Sequence, residues 1–367
     1  MFQYTIAFMS LVSFSRSNSN MAIQFGPAEK FCKSLLSLCY SRFLSATFHS
    51  IPASHTLEES IKAAVETEAY EQIPDLLSTP TTIPPQQKSN PFSFLSSFPD
   101  HLRTKVIDKI LQSFLHLRPR SRTRTAYEYL LSHTLANPNP LPLALAIIQR
   151  ILRSGCTPVP QTHLSLSSAW LDHHQTQSVA DILNDMRSIG YHPDCNTCNY
   201  LLSSLCTVDH SAEAIRVLKG MGGAGCNPDS ESYGTVIGVM CKARKTGDVA
   251  ELMSEMVTKF GLMPRQGIVI KAVAAMRANR EMVRAVEMIE LLEKEGCSIG
   301  FEAYEMVVKG CLERREFILA GKVVMEMAER GFIPYIRVRQ RVVGGLASVG
   351  EGALASVVRQ RFADLNS

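Results

Sequence analysis

The chain is short of the groupings that chemistry requires. Cys195-Asn-Thr-Cys198 is its one Cys-x-x-Cys, at the start of an expected helix, and no second ligand pair stands at zinc spacing from it. No His-x-Glu accompanies it, which excludes the zinc deaminase pattern. No carboxylate cluster suited to two-metal nuclease work appears outside the repeats described below. No catalytic residue, metal ligand or cofactor is expected, and the chain reads as a non-enzyme. Disulfides are not expected either: ten cysteines without a regular framework suggest buried free thiols in a reducing compartment. The single tryptophan, Trp170, stands where a later unit has Leu205, so its expected role is packing. A net charge of +4 is too small to point to a partner by itself. The apolar opening, MFQYTIAFMSLVSF, is too short to span a bilayer, and no membrane span is expected.

Acid is missing from the beginning of the chain. In residues 1–56, Glu29 stands alone against Arg16, Lys30, Lys33 and Arg42, among eleven serines. Acid-poor, serine-rich and basic is the composition of an organelle transit peptide. Arg42-Phe43-Leu44 before Ser45 looks like a mitochondrial processing site cut after Leu44, which ranks the mitochondrion ahead of the plastid. Met21 is an alternative start to Met1.

What the chain does have is a period. Gly155, Gly190, Gly225, Gly261, Gly296 and Gly331 are spaced by 35, 35, 36, 35 and 35 residues, and all but Gly296 stand three residues before a proline. Before each lies an apolar set at i, i+3, i+4, i+7, one face of a helix. In the unit 195–229 it is Ala214, Val217, Leu218 and Met221; a shorter run, Leu201, Leu202 and Leu205, precedes it across a turn. Each unit therefore reads as two antiparallel helices. Glycine ends the second because a left-handed C′ residue is cheap without a Cβ, and proline blocks its continuation. The implied fold is all-α, a solenoid of stacked helix-turn-helix repeats whose units bury each other's faces.

In chain order, 1–56 is the transit peptide and 57–98 holds short acidic helices, broken at Pro74, followed by a proline-rich linker. Residues 99–123 form a capping helix, with a stripe of Leu102, Val106, Ile110 and Phe114, and a basic hinge. Arg118, Arg120, Arg122 and Arg124 in that hinge are either solvated or a phosphate-gripping arm. The array covers 124–362 as units 124–159, 160–194, 195–229, 230–265, 266–300 and 301–335 and a truncated pair, 336–362; 363–367 is a tail. Unit 230–265 carries one extra residue between Met256 and Gly261.

The 35-residue period, the Gly-x-x-Pro-Asp endings at Gly190–Asp194 and Gly225–Asp229, SYGTVIGVMCKARKTGD (Ser232–Asp248) and NYLLSSLC (Asn199–Cys206) resemble the pentatricopeptide repeat family. The resemblance covers about two-thirds of the chain. It implies a right-handed superhelix whose first helices line a groove for single-stranded RNA, and a plant-like organellar protein acting in transcript processing, stability or translation. It implies too that the fifth and last residues of a unit meet the edge of one base. Carried over, this makes Asn199 with Asp229 a reading pair for uracil over cytosine, Asp194 a last-position residue beside Leu164, and Lys242 a backbone-phosphate contact. The remaining units offer Glu128 and Val159, Gly234 and Arg265, Ile270 and Gly300, and Glu305 and Tyr335, none a usual pair. Residues 160–335 hold 18 Lys plus Arg against 22 Asp plus Glu. Two functions follow: an organellar RNA-binding adaptor, with single-stranded RNA and other organellar proteins as its partners, or a protein scaffold such as a ribosome-associated subunit.

Overall fold

The computed structural model describes residues 56–78, 89–173 and 177–364. The transit-peptide reading of 1–56 lies outside these residues but for Thr56, as do most of the proline-rich linker, His174 and the last three residues. The described secondary structure is entirely helical. Three helices come first: α1 (Leu57–Glu66), α2 (Ile73–Ser78) and α3 (Asp100–Ser113). Seven pairs follow: α4 (Arg124–Leu135) with α5 (Leu141–Arg153), α6 (Gln161–His173) with α7 (Val179–Ser188), and α8 (Cys195–Thr207) with α9 (Ser211–Gly220). Next are α10 (Ser230–Lys242) with α11 (Thr246–Ser254) and α12 (Gln266–Ala278) with α13 (Met282–Lys294). The last are α14 (Phe301–Glu313) with α15 (Phe317–Glu329) and α16 (Ile336–Ser348) with α17 (Gly352–Asp364).

The periodic glycines act where the spacing predicts. Each of the six has a positive φ, between 62° and 87°. In the turn between the two helices a left-handed residue recurs at the fifteenth position of the later units: Asp209, Arg244, Arg280 and Arg315 take φ of 64°, 54°, 62° and 60°, and Gly350 takes 86° in the seventh pair. The apolar stripes all face inward, Ala214, Val217, Leu218 and Met221 among them. Met221 sits in a 3-10 turn beyond α9, because Gly220, Gly222 and Gly223 are poor α-helix formers. The extra residue of unit 230–265 is taken up by a π-helical turn over Glu255–Lys259. Widening one turn admits a residue and leaves Met256 and Val257 buried.

First helices pack side by side in order from α4 to α16, so that the interior is continuous through the repeats. Trp170 is fully buried in it. Pro74 does not break a helix; it lies in the first turn of α2, where its missing N–H has no intrahelical partner to lose. In α3 the buried face is Ile107, Ile110 and Leu111 with Phe114 beyond it, whereas Leu102 is exposed. Phe114 sits edge-on to Tyr127 of α4 at 5.5 Å, and the Tyr191 hydroxyl donates to Asp108 at 2.6 Å, which fixes α3 against the first units. The seventh pair extends to Asp364, past the expected end at 362.

Candidate nucleic-acid interface

Unit 195–229 and the start of the next form a compact polar constellation. Asp229 is the N-cap of α10 and accepts from the backbone N–H groups of Glu231 (2.9 Å) and Ser232 (2.8 Å). The Ser232 hydroxyl in turn receives the Asp229 N–H at 3.1 Å, a reciprocal box that pins the first turn. From α8, the Asn199 amide donates to both Asp229 oxygens, at 3.2 and 3.3 Å, while its own oxygen accepts from Ser232 Oγ at 2.6 Å. The two residues are thus brought together, and the amide has one orientation. Burial works to raise the Asp229 carboxyl, but the Ser232 N–H, Asn199, the Ser232 hydroxyl and the Glu231 N–H outweigh it and hold the group below its ordinary value. Asp229 is an ionised acceptor at neutral pH, with Asn199 as its fixed neighbour.

The other candidates are placed differently. Asp194 is the N-cap of α8, accepting from Thr197 N (2.9 Å) and Thr197 Oγ1 (2.6 Å), and Arg153 binds its second oxygen at 2.8 Å. Its fifth-position neighbour Leu164 is exposed and apolar, so no second reading pair is assembled there. Lys242 is the exposed last residue of α10, about 20 Å along the helix from Asp229 at 1.5 Å per residue. It makes no ion pair among the described residues. The hinge arginines are all engaged: Arg118 with the Leu115 and Leu117 carbonyls (3.1 and 2.8 Å), Arg120 with the Ser154 carbonyl (3.4 Å), Arg122 with Asp75, and Arg124 with Glu128 (2.9 Å). Glu305, at the fifth position of its unit, is buried against Lys309 (2.9 Å). The second positions Gln161, Asn196, Glu231, Gly267 and Glu302 are all exposed.

Three features escape a reading by repeat position alone. Ser232, which orients Asn199, was available as Asp229-x-x-Ser232, a helix-start signature. His163 of α6 stacks on Tyr200 of α8 at 4.8 Å and shares a 2.8 Å hydrogen bond with Ser204. Burial lowers the His163 imidazole and pushes the Tyr200 phenol up to about 12. The third is a thiol group: Cys195 Sγ lies 3.7 Å from Cys226 Sγ, with Cys198, on the same helix as Cys195, buried. No group of three His, Cys, Asp or Glu among the described residues is arranged to hold a metal ion. No described helix is long and apolar enough to cross a membrane.

Residues 193–242, which include this constellation and Lys242, match the PPR repeat family. Pentatricopeptide repeat-containing protein At1g06270 of Arabidopsis thaliana is 54% identical over 334 residues, covering 90% of this chain and 97% of the relative. Among solved structures, the pentatricopeptide repeat protein PPR10 from maize aligns with TM-score 0.37 and 14% identity over 90% of this chain and 57% of that one. PPR10 in complex with an 18-nt psaJ RNA element aligns with TM-score 0.31 and 14% identity, over 98% and 54%. The chain spans little more than half the length of those solved structures.

Proposed function

The chain belongs to the pentatricopeptide repeat family, and from that premise we propose that it binds single-stranded RNA along its first helices as an organellar adaptor in transcript processing, stability or translation. The observation that carries this reading is the oriented pair Asn199 and Asp229. One amide N–H of Asn199 is directed at Asp229, which leaves the other for a base carbonyl. The ionised Asp229 keeps acceptor capacity for a ring N–H. Ring N3 is a donor in uracil and an acceptor in cytosine, so a carboxylate facing it favours uracil. Lys242 would supply charge to the backbone, and Arg118, Arg120, Arg122 and Arg124 would trade their internal partners for phosphate. The composition of residues 1–56 supports import into the mitochondrion, with the plastid as alternative. A fluorescent fusion of 1–56 that stays in the cytosol would remove that part.

Electrophoretic titration against short RNAs at two salt concentrations tests the interface. Asn199→Ala with Asp229→Ala should cost about 1–3 kcal/mol on RNA carrying uracil at the read position. The loss should be smaller with cytosine there, and the salt slope should barely move because no phosphate contact is removed. A scaffold reading is favoured by Leu164, Ile270 and Glu305, which form no comparable pair in their units. No RNA binding by the intact protein at low salt would decide for it.

A further inference from the structure

Arg244, Arg280 and Arg315 are each the fifteenth residue of their units, and each closes the turn between the two helices of its hairpin with a left-handed backbone. A side chain at positive φ is strained, and glycine is the inexpensive solution that this chain uses at the same turn of the next unit, Gly350. A cation just beyond a helix C-terminus gains about 0.3–1 kcal/mol from the helix dipole, but that gain does not require the left-handed position itself to be arginine at three successive turns. Strain that persists without a packing benefit points to the side chain's own use.

The surroundings say what that use is. All three arginines are exposed and form no ion pair among the described residues. The acids of the same edge are taken by other arginines: Glu313 by Arg277, Glu281 by Arg284, and Glu316 by Arg314. Asp209, at the equivalent turn of the preceding unit, and Asp248, in the first turn of α11, form no ion pair among the described residues. The turns are locked to each other, with Asn279 Nδ2 donating to the Arg244 carbonyl at 2.9 Å and Glu281 accepting from Thr246 Oγ1 at 2.9 Å. The result is a row of guanidinium groups without ion-pair partners among the described residues, one per repeat, within a stretch, 160–335, whose 18 basic residues are outnumbered by 22 acidic ones.

We propose that Arg244, Arg280 and Arg315 form a phosphate-binding track that grips the backbone of bound RNA along the turn edge of the last three full units. The proposal rests on the RNA reading given above. With one nucleotide per repeat, one phosphate falls to each arginine, and the planar guanidinium suits phosphate oxygens. The track carries no sequence information. It holds the strand while Asn199 and Asp229, one unit earlier, read a base.

The triple substitution Arg244→Gly, Arg280→Gly and Arg315→Gly separates this from a structural role. Glycine accepts the turn backbone, so the melting temperature should stay or rise. Affinity for a random single-stranded RNA pool should fall, and the slope of log affinity against log salt should become shallower by about two, three phosphates at about 0.7 each. Arg→Asn at the same positions also tolerates a left-handed backbone and should lose the same slope. A lower melting temperature in both variants would mark the arginines as structural and overturn the track. Unchanged affinity and slope in either variant, with the intact protein binding, would overturn the track alone. No binding by the intact protein would remove the RNA reading and the track with it.

Discussion

Asp229 has two duties that pull on the same oxygens. It caps α10, satisfying N–H groups that a helix start leaves without partners, and it faces Asn199 across the unit boundary. Its carboxyl is held below the ordinary value in the folded protein, so its ionised form stabilises the fold at and above the usual carboxylate range. That contribution disappears as pH falls through the lowered folded value, because the unfolded chain then takes up the proton first. Asp229→Asn keeps a capping side chain but removes the charge, so it should be less stable than the parent at neutral pH by about 0.3–1 kcal/mol, as for a carboxylate lost from a helix N-terminus. The gap should narrow as the solution becomes strongly acidic. Urea midpoints across that range check it; a gap that is constant with pH would mean the carboxylate charge contributes nothing.

At the level of helices, small residues decide how closely second helices approach. A Cβ placed on Gly220 would lie 2.6 Å from the Val179 Cβ and 2.8 Å from its Cγ1, so α9 meets α7 only because Gly220 has no side chain. Neither Cβ can rotate away, and the two helices would have to separate. Gly220→Ala should cost about 1–3 kcal/mol by overpacking. Adding Val179→Ala removes the Cγ atoms but keeps the Cβ, so it should recover part of the loss. A thermal melt that does not move for Gly220→Ala would show that this contact gives way freely. The π-turn at Glu255–Lys259 solves the opposite problem, an added residue, by local widening that leaves the stripe on either side in register.

Across the whole array, stability is shared. Leu218 is buried in the apolar stripe, and Leu218→Asp places a carboxylate there. The cost should be several kcal/mol, and loss of helical circular dichroism should exceed what unit 195–229 alone accounts for. Loss confined to that unit would show that the repeats fold independently. Among the described residues the N-terminal helices are tied into the same body: Asn90 bonds the Tyr129 carbonyl at 2.9 Å, and Arg122 pairs with Asp75.

The sequence by itself determined the repeat length, the two-helix unit, the left-handed glycines and the buried stripe, because each is a local pattern repeated at a fixed interval. Asn199 and Asp229 were legible too, through the positions they share with a known repeat. Only the tertiary structure decided what depends on one unit lying against the next. Ser232 orienting Asn199, Cys226 meeting Cys195, and Arg122 and Arg120 being taken by Asp75 and the Ser154 carbonyl all join residues that no period links. The left-handed arginines were hidden for a related reason. A turn held by helices on both sides can impose a backbone that its own residue disfavours, so composition gives no sign of it.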